Sequence, residues 1–404
     1  MKRIIMHIDV NNAFLSWTAI YLLENGSKYD IRNSYAVIGG DAKSRNGIVL
    51  AKSNPCKKLG VKTAETIYSA RKKCPALKVY PPNFSFYSKM SKSLFDLLYK
   101  YTPDIEIASI DECYLDYGKV MNIYGDPYLF AEKIQKQILD ELKFTVNIGI
   151  ANNKLCAKMA SDFSKPFKIH TLYDYEVEEK MYPLPVGDLF GIGKKTVPKL
   201  ERLGIFTIRD LANSDENMLR RYFKNMASSM ILSARGINND PVISDNIEPK
   251  GIGNEITLVK DTLDFDEISS HLLSLSENVA MRLRKQKKYA HTVCVTVKLK
   301  DFKRKSHQKK LENATCSTSV IYEAAKKIFL EMHLEDDIRL IGIRLDNLTD
   351  VVAHQISLFD NSYDVSSNTL DDTIDSIKMK YGNKIIKTAS LIDRKDFNNL
   401  KEKQ

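Results

Sequence analysis

No apolar run in this 404-residue sequence approaches the roughly 20 residues that a membrane-spanning helix requires. Met1-Lys2-Arg3 leads into only about seven apolar residues before Asp9, too few for a secretory leader. Cysteine is sparse: six residues (56, 74, 113, 156, 294 and 316) form no Cys-x-x-Cys pair and no metal-ligand spacing. That excludes a zinc ribbon or a disulfide scaffold, and free thiols in a long chain are expected of a cytoplasmic protein. Acid is missing from one window in particular. Between Met281 and Lys310 there are twelve Lys or Arg against the single acid Asp301, a net +11 that matches the whole chain's excess of +10. A merely solvated face would carry more compensating acid, so the window points to a polyanionic partner. The length predicts several domains and the 43% hydrophobic content predicts packed cores.

Two stretches hold acids where acids are costly. Ser109-Ile110-Asp111-Glu112-Cys113-Tyr114-Leu115-Asp116 follows Asp104-Ile105-Glu106-Ile107, and the alternation predicts two short strands with Asp111 and Glu112 at the turn between them. Adjacent carboxylates repel, and a bound cation or a basic partner is the usual compensation. An isolated Asp-Glu pair is more often an ordinary acidic turn. A second stretch changes that balance: residues 4–10 are a continuous apolar run, predicted to be a buried central strand, with Asp9 at its end. Asp9 is also placed to cap a helix predicted over 13–24. If the two strands are neighbours, Asp9, Asp111 and Glu112 converge into a hard oxygen site suited to Mg²⁺, and two such ions serve in-line phosphoryl or nucleotidyl transfer.

Further along, Leu189-Phe190-Gly191-Ile192-Gly193-Lys194-Lys195 through Leu203-Gly204-Ile205 has the frame of a helix-hairpin-helix. Gly191 and Gly193 let backbone N–H groups approach a DNA phosphate, with Lys194 and Lys195 adding charge. Residues 237–250 are polar with two prolines and read as a linker. Beyond them the pattern is strand (252–259), helix (264–287), strand (291–300), strand (311–318), helix (319–333) and strand (338–346). The basic window falls at the end of the first helix and on the central hairpin, placing Arg282, Arg284, Lys303, Arg304 and Lys305 as candidate DNA contacts.

His7-Ile8-Asp9-Val10-Asn11-Asn12-Ala13-Phe14, the Ser109–Asp116 stretch, Asn147-Ile148-Gly149-Ile150-Ala151, Ala157-Lys158-Met159-Ala160-Ser161-Asp162 and Lys165-Pro166 together resemble the ordered signature of Y-family DNA polymerases, over residues 1 to about 360. The resemblance implies an α+β multidomain right hand. Its palm would be 1–20 and 81–172, its fingers 21–80, its helix-hairpin-helix thumb 173–236 and a β-α-β-β-α-β little finger 251–350, with a tail over 351–404. Asp9, Asp111, Glu112 and the main-chain carbonyl of Val10 would hold two Mg²⁺, with Mn²⁺ as an alternative. Phe14, as a lone residue more often core, matches the bulky side chain that excludes a 2′-hydroxyl. Lys165 matches a triphosphate-binding lysine. Family members often carry Tyr and Arg where this chain has Asn54 and Lys57, so the triphosphate contacts depart from the pattern there, although Lys57 keeps the charge.

Gln355-Ile356-Ser357-Leu358-Phe359, directly after the little finger, resembles a sliding-clamp-binding motif, with Leu358 and Phe359 as apolar anchors and Gln355 as a hydrogen-bonding group. The expected function is template-directed addition of dNTPs to a primer 3′-end by a monomer that bypasses lesions at low fidelity, without proofreading. The rival is a non-catalytic DNA-binding factor recruited to the clamp. Three acids facing phosphates would serve pure binding poorly, which favours the enzyme.

Overall fold

The computed structural model describes residues 3–40, 47–244, 248–350, 363–382 and 385–386. The motif Gln355, Leu358 and Phe359 lies outside the described residues. The chain divides into two bodies, one ending before residue 247 and the other following it.

The first body opens with β1 (Ile5–Val10), α1 (Ala13–Glu24), β2 (Ala36–Gly39), β3 (Val49–Lys52), α2 (Asn54–Lys58), α3 (Ile67–Lys73), β4 (Lys78–Tyr80) and α4 (Phe84–Tyr99). It continues through β5 (Ile105–Ile107), β6 (Glu112–Asp116), α5 (Met121–Tyr124), α6 (Pro127–Leu142), β7 (Val146–Ala151), α7 (Lys154–Asp162) and β8 (Ile169–Leu172). Its main sheet has the order β5-β6-β1-β7-β8. The apolar run read as a central strand is indeed central: β1 lies between β6 and β7, antiparallel to both. Side chains from β1, β6 and β7 pack with Trp17, Tyr87, Leu94, Leu98, Phe130 and Ile134 from α1, α4 and α6, forming one core. α6 starts where Asp126 accepts hydrogen bonds from the Tyr128 and Leu129 N–H groups, with Pro127 just inside.

A three-stranded sheet, β3-β2-β4, carries α2 and α3 over a small core of Val37, Val49, Cys56, Ile67, Ala70 and Cys74. After β8 come four short helices: α8 (Val197–Glu201), α9 (Ile208–Ala212), α10 (Glu216–Phe223) and α11 (Met226–Ala234). The hairpin glycines precede α8. Gly191 has φ +95°, a left-handed conformation that favours glycine, and Gly191, Gly193, Lys194 and Lys195 are all exposed. The segment before them, Val186–Asp188, is a single 3₁₀ turn rather than a full helix.

The second body follows the expected β-α-β-β-α-β order: β9 (Gly251–Thr262), α12 (Phe265–Lys285), β10 (Tyr289–Leu299), β11 (Arg304–Thr315), α13 (Thr318–Glu331) and β12 (Ile338–Thr349). The sheet order is β11-β10-β12-β9, antiparallel throughout. α12 and α13 cover one face, and their Ile268, Leu272, Val279, Ile321 and Ile328 meet the alternate residues Val293, Val295 and Val297 of β10. A further helix, α14 (Tyr363–Tyr381), joins this body through Arg284.

One boundary differs from expectation by more than three residues. β11 begins at Arg304 rather than near 311, because backbone pairing to β10 holds a wholly polar stretch as an edge strand. α3 begins at Ile67, after Ala64 in a left-handed conformation at φ +67°, where the Thr66 side chain caps the helix by accepting from the Ser69 N–H.

Candidate active site

The register between β1 and β6 places Asp9 directly opposite Glu112, and the Val10 N–H donates to the Asp111 carbonyl at 3.0 Å. The three acids called from sequence therefore gather at one end of the central strand pair. Asp9 is not a helix cap: α1 is preceded by Asn12, which makes no side-chain cap bond. Instead both Asp9 oxygens accept from lysines, Oδ2 from Lys158 Nζ at 3.2 Å and Oδ1 from Lys165 Nζ at 2.9 Å. Lys158 Nζ also donates to Glu112 Oε2 at 2.8 Å and lies 3.5 Å from Asp162. Asp111 turns its Oδ1 toward Ser109, whose hydroxyl donates at 2.6 Å.

The electrostatics follow from this packing. Burial pushes the Asp111 carboxyl up, Ser109 opposes that, and the neighbouring charges of Asp9 and Glu112 add to the rise. Glu112 goes the other way, down to about 2, because His7 and Lys158 both stabilise its anion. Burial pulls Lys158 down, but Glu112, Asp9 and Asp162 outweigh it, and the ammonium is held above its ordinary range. His7 is fully buried. Its Nδ1 is 2.8 Å from Ser161 Oγ and its Nε2 faces Glu112 Oε2 at 3.4 Å, and burial lowers its pKa.

Whether these groups suit divalent ions is a question of donor chemistry. Among the described residues no three His, Cys, Asp or Glu side chains are already drawn together around one point. Lys158 bridges Asp9 and Glu112 instead, and Lys165 pairs with Asp9 and Asp162, which marks the strand ends as a place where positive charge is stabilised by hard oxygen donors. Their carboxylates are hard oxygen donors of the kind that hold a divalent ion.

Local structure explains how the lysines reach the acids. α7 packs so closely on β7 that a Cβ on Gly149 would lie 2.0 Å from the Ala157 carbonyl oxygen and 2.5 Å from the Ser161 nitrogen. That contact sets Lys158, on the same helix, over the strand ends. Two buried asparagines fix the loop that carries Lys165: Asn11 Oδ1 accepts from the Phe167 N–H at 2.9 Å, and Asn147 Nδ2 donates to the Ser161 and Ser164 carbonyls at 3.0 and 2.6 Å.

A cleft of about 200 Å³ opens beside the acids, lined by Val10, Asn12, Ala13, Phe14, Leu50, Ala51, Lys52, Thr63 and Asp111. Phe14 forms part of it, its ring stacked on Tyr87 at 4.7 Å and 9° and held edge-on by Phe84 at 5.9 Å. Asn54 and Lys57 lie on α2 and do not line the cleft, whereas Lys52 does.

In the second body the candidate DNA contacts divide. Lys303 and Arg304 are exposed, paired with Asp301 and Glu255, and Lys305 is exposed on the same edge strand. Arg282 donates to the Gly253 carbonyl at 2.9 Å. Arg284 is a correction: its side chain is only 8% exposed, and its guanidinium is used by Asp371, Asp375, Thr318 and the Cys316 carbonyl. It anchors α14 and is largely withdrawn from the surface. Sequence reading also left Lys158, His7, Asn11 and Asn147 without functional roles. The adjacency of Asn11 to Asp9 and of Asn147 to the strand's apolar run was the available signal.

Acids at the ends of central antiparallel strands, basic side chains directed at them and a cleft alongside are the arrangement expected of a phosphate-transferring enzyme. Family models agree along the chain: the impB/mucB/samB family matches residues 8–162, its C-terminal domain 249–358, and the IMS family HHH motif 175–205. DNA polymerase IV of Clostridium acetobutylicum is 46% identical over 98% of this chain and 100% of its own length, and DNA polymerase IV 1 of Bacillus subtilis is 32% identical over 98% and 94%. Among solved structures, a Y-family DNA polymerase chimera of Dbh and Dpo4 superposes with a TM-score of 0.75 at 26% identity, over 85% of this chain and 98% of that one. The insertion ternary complex of Dbh DNA polymerase gives 0.61 over the same shares. The chain belongs to the Y family of DNA polymerases, among the homologues of bacterial DNA polymerase IV, and is a DNA-directed DNA polymerase of the translesion type.

Proposed function

We propose that Asp9, Asp111, Glu112 and the Val10 carbonyl hold two divalent ions, Mg²⁺ with Mn²⁺ as an alternative, in nucleotidyl transfer from a dNTP to a primer 3′-end. The observation that carries this reading is the pairing of Asp9 with Glu112 across β1 and β6 beside Asp111, with cations drawn into the gap. When bound, the ions supply charge neutralisation at the phosphates and a lowered pKa at the primer hydroxyl. Every other part is protein chemistry. Lys165 and Lys158 exchange their carboxylate partners for the triphosphate and leaving-group oxygens, Lys165 being the more exposed of the two. Phe14, clamped by Tyr87 and Phe84, presents a rigid wall to the sugar's 2′ position.

The β3-β2-β4 sheet with α2 and α3 serves as fingers, bringing Asn54 and Lys57 near the incoming nucleotide. Residues 173–236 serve as thumb, with Gly191, Gly193, Lys194 and Lys195 at the duplex backbone. The second body serves as the little finger, through Arg282, Lys303, Arg304 and Lys305. Primer-template DNA and dNTP are the substrates, Gln355, Leu358 and Phe359 dock on a sliding clamp, and the enzyme works as a cytoplasmic monomer. Fingers built on a three-stranded sheet with two short helices check the nascent pair loosely, which gives low fidelity without proofreading. Primer extension with each dNTP singly, on templates offering each base, tests the reading. Template-dependent addition dependent on divalent ion supports it, and DNA binding without addition defeats it.

A further inference from the structure

We propose that Lys52 is a triphosphate-binding residue, standing on the fingers side of the cleft opposite the acids, in a place where neither Asn54 nor Lys57 reaches the lining. The inference rests on the polymerase reading above. Lys52 closes β3, and it lines the same cleft as Phe14 and Asp111. Its Nζ donates to the Thr63 hydroxyl at 2.9 Å, a neutral partner. Glu65, whose charge bears on it, is already committed: it accepts from Lys73 Nζ at 2.5 Å, from the Lys62 N–H at 2.8 Å and from the Ser69 hydroxyl at 3.2 Å. Lys158 and Lys165 each sit on carboxylates across the site. Among the described residues, then, Lys52 is a cation in the cleft with no carboxylate within ion-pair distance.

Its surroundings work against its charge. Partial burial depresses the ammonium, the neighbouring charge of Lys57 depresses it further, and Glu65 only partly offsets them. A half-buried ammonium without a counter-ion is stabilised by whatever anion enters beside it. Of the parts of a nucleotide, only the triphosphate is anionic. Phe14 and Asp111 line the same cleft, and there Lys52 and Thr63 offer a donor pair, one charged and one neutral, to phosphate oxygens. The departure at Asn54 and Lys57 from the Tyr and Arg common in the family then has a compensation within the same segment, two residues before Asn54.

Steady-state extension by the full chain on a primer-template tests this with Lys52→Met, Lys52→Gln and Lys52→Arg. The methionine variant is expected to raise KM about 10- to 100-fold for all four dNTPs alike, with a smaller fall in kcat, while Lys52→Arg stays near wild type. Inorganic pyrophosphate, used as inhibitor, should lose potency by a similar factor, which a merely structural role would not produce. If Lys52→Met fails to fold, Lys52→Gln, able to donate to Thr63, carries the comparison. Unchanged KM and unchanged pyrophosphate inhibition would overturn the proposal, as would an effect confined to one base. A wild type that does not extend primers refutes the polymerase reading itself. A wild type that extends while the variants keep their KM refutes the role of Lys52 alone.

Discussion

Lys158 is the residue whose removal says most about the acid cluster. Its ammonium lies 2.8 Å from Glu112, 3.2 Å from Asp9 and 3.5 Å from Asp162, with its side chain 11% exposed. At an effective dielectric of about 20, each close contact is worth roughly 5 kcal/mol of gross attraction, most of it offset by desolvation. Deleting one partner of a buried pair typically costs about 3–5 kcal/mol. Here the acids retain some water, Lys165 still serves Asp9 and His7 still faces Glu112, so Lys158→Met should cost about 2–3 kcal/mol. Methionine keeps the apolar stem, so the loss reads the charge rather than packing. For a body of this size that is a fall of about 4–12 °C in Tm in the presence of chelator. Millimolar Mg²⁺ should restore more of the Tm in the variant than it adds to wild type, because the bared carboxylates attract it. Thermal denaturation in chelator and across a Mg²⁺ series decides the matter. A variant within about 1 °C of wild type in chelator, or an identical Mg²⁺ response in both proteins, refutes the reasoning.

Three further outcomes follow from the same geometry. Phe14→Ala should relax discrimination between rNTP and dNTP by about a hundredfold, measured as the ratio of kcat/KM values on one template; an unchanged ratio removes Phe14 from the sugar site. Gly149→Ala, whose Cβ meets backbone atoms of α7, should destabilise by about 2–3 kcal/mol and depress extension by shifting Lys158, with chemical denaturation giving the first and primer extension the second. Glu112 is depressed from 4.5 to about 2 on folding, so its contribution is complete above pH 4.5 and is lost as pH falls toward 2. Wild type should therefore lose roughly 1–3 kcal/mol across that window relative to Glu112→Gln in acid-unfolding curves, and parallel curves would contradict the assignment.

The parts of this fold legible in the sequence were those where one strong local pattern agreed with its surroundings. The apolar run ending at Asp9, the helix over 13–24 and the alternation around Asp111 each carry such a pattern, and the observed elements match them within a residue or two. Lys158 was opaque because a lysine on a helix looks solvated until the packing of that helix is known. Only the α7–β7 contact at Gly149 turns its side chain inward. Arg284 misled for the converse reason: it belongs to a basic window, yet Asp371 and Asp375, nearly 90 residues later, bury it. Residues 304–310 lack any alternation, and only pairing to β10 makes them a strand. Asn54 and Lys57 were assigned through a likeness at the level of the motif, whereas it is the end of β3, with Lys52, that lines the cleft.

The central claim is that Asp9, Asp111 and Glu112 together hold divalent ions against nucleotide phosphates. Electron paramagnetic resonance of Mn²⁺ titrated into the enzyme with dideoxy-terminated primer-template and a matching dNTP measures that occupancy directly. Wild type should take up Mn²⁺ beyond what the dNTP alone binds, and Asp9→Asn, Asp111→Asn and Glu112→Gln should each lose part or all of it while still binding DNA. Equal Mn²⁺ uptake by wild type and all three variants would contradict the account.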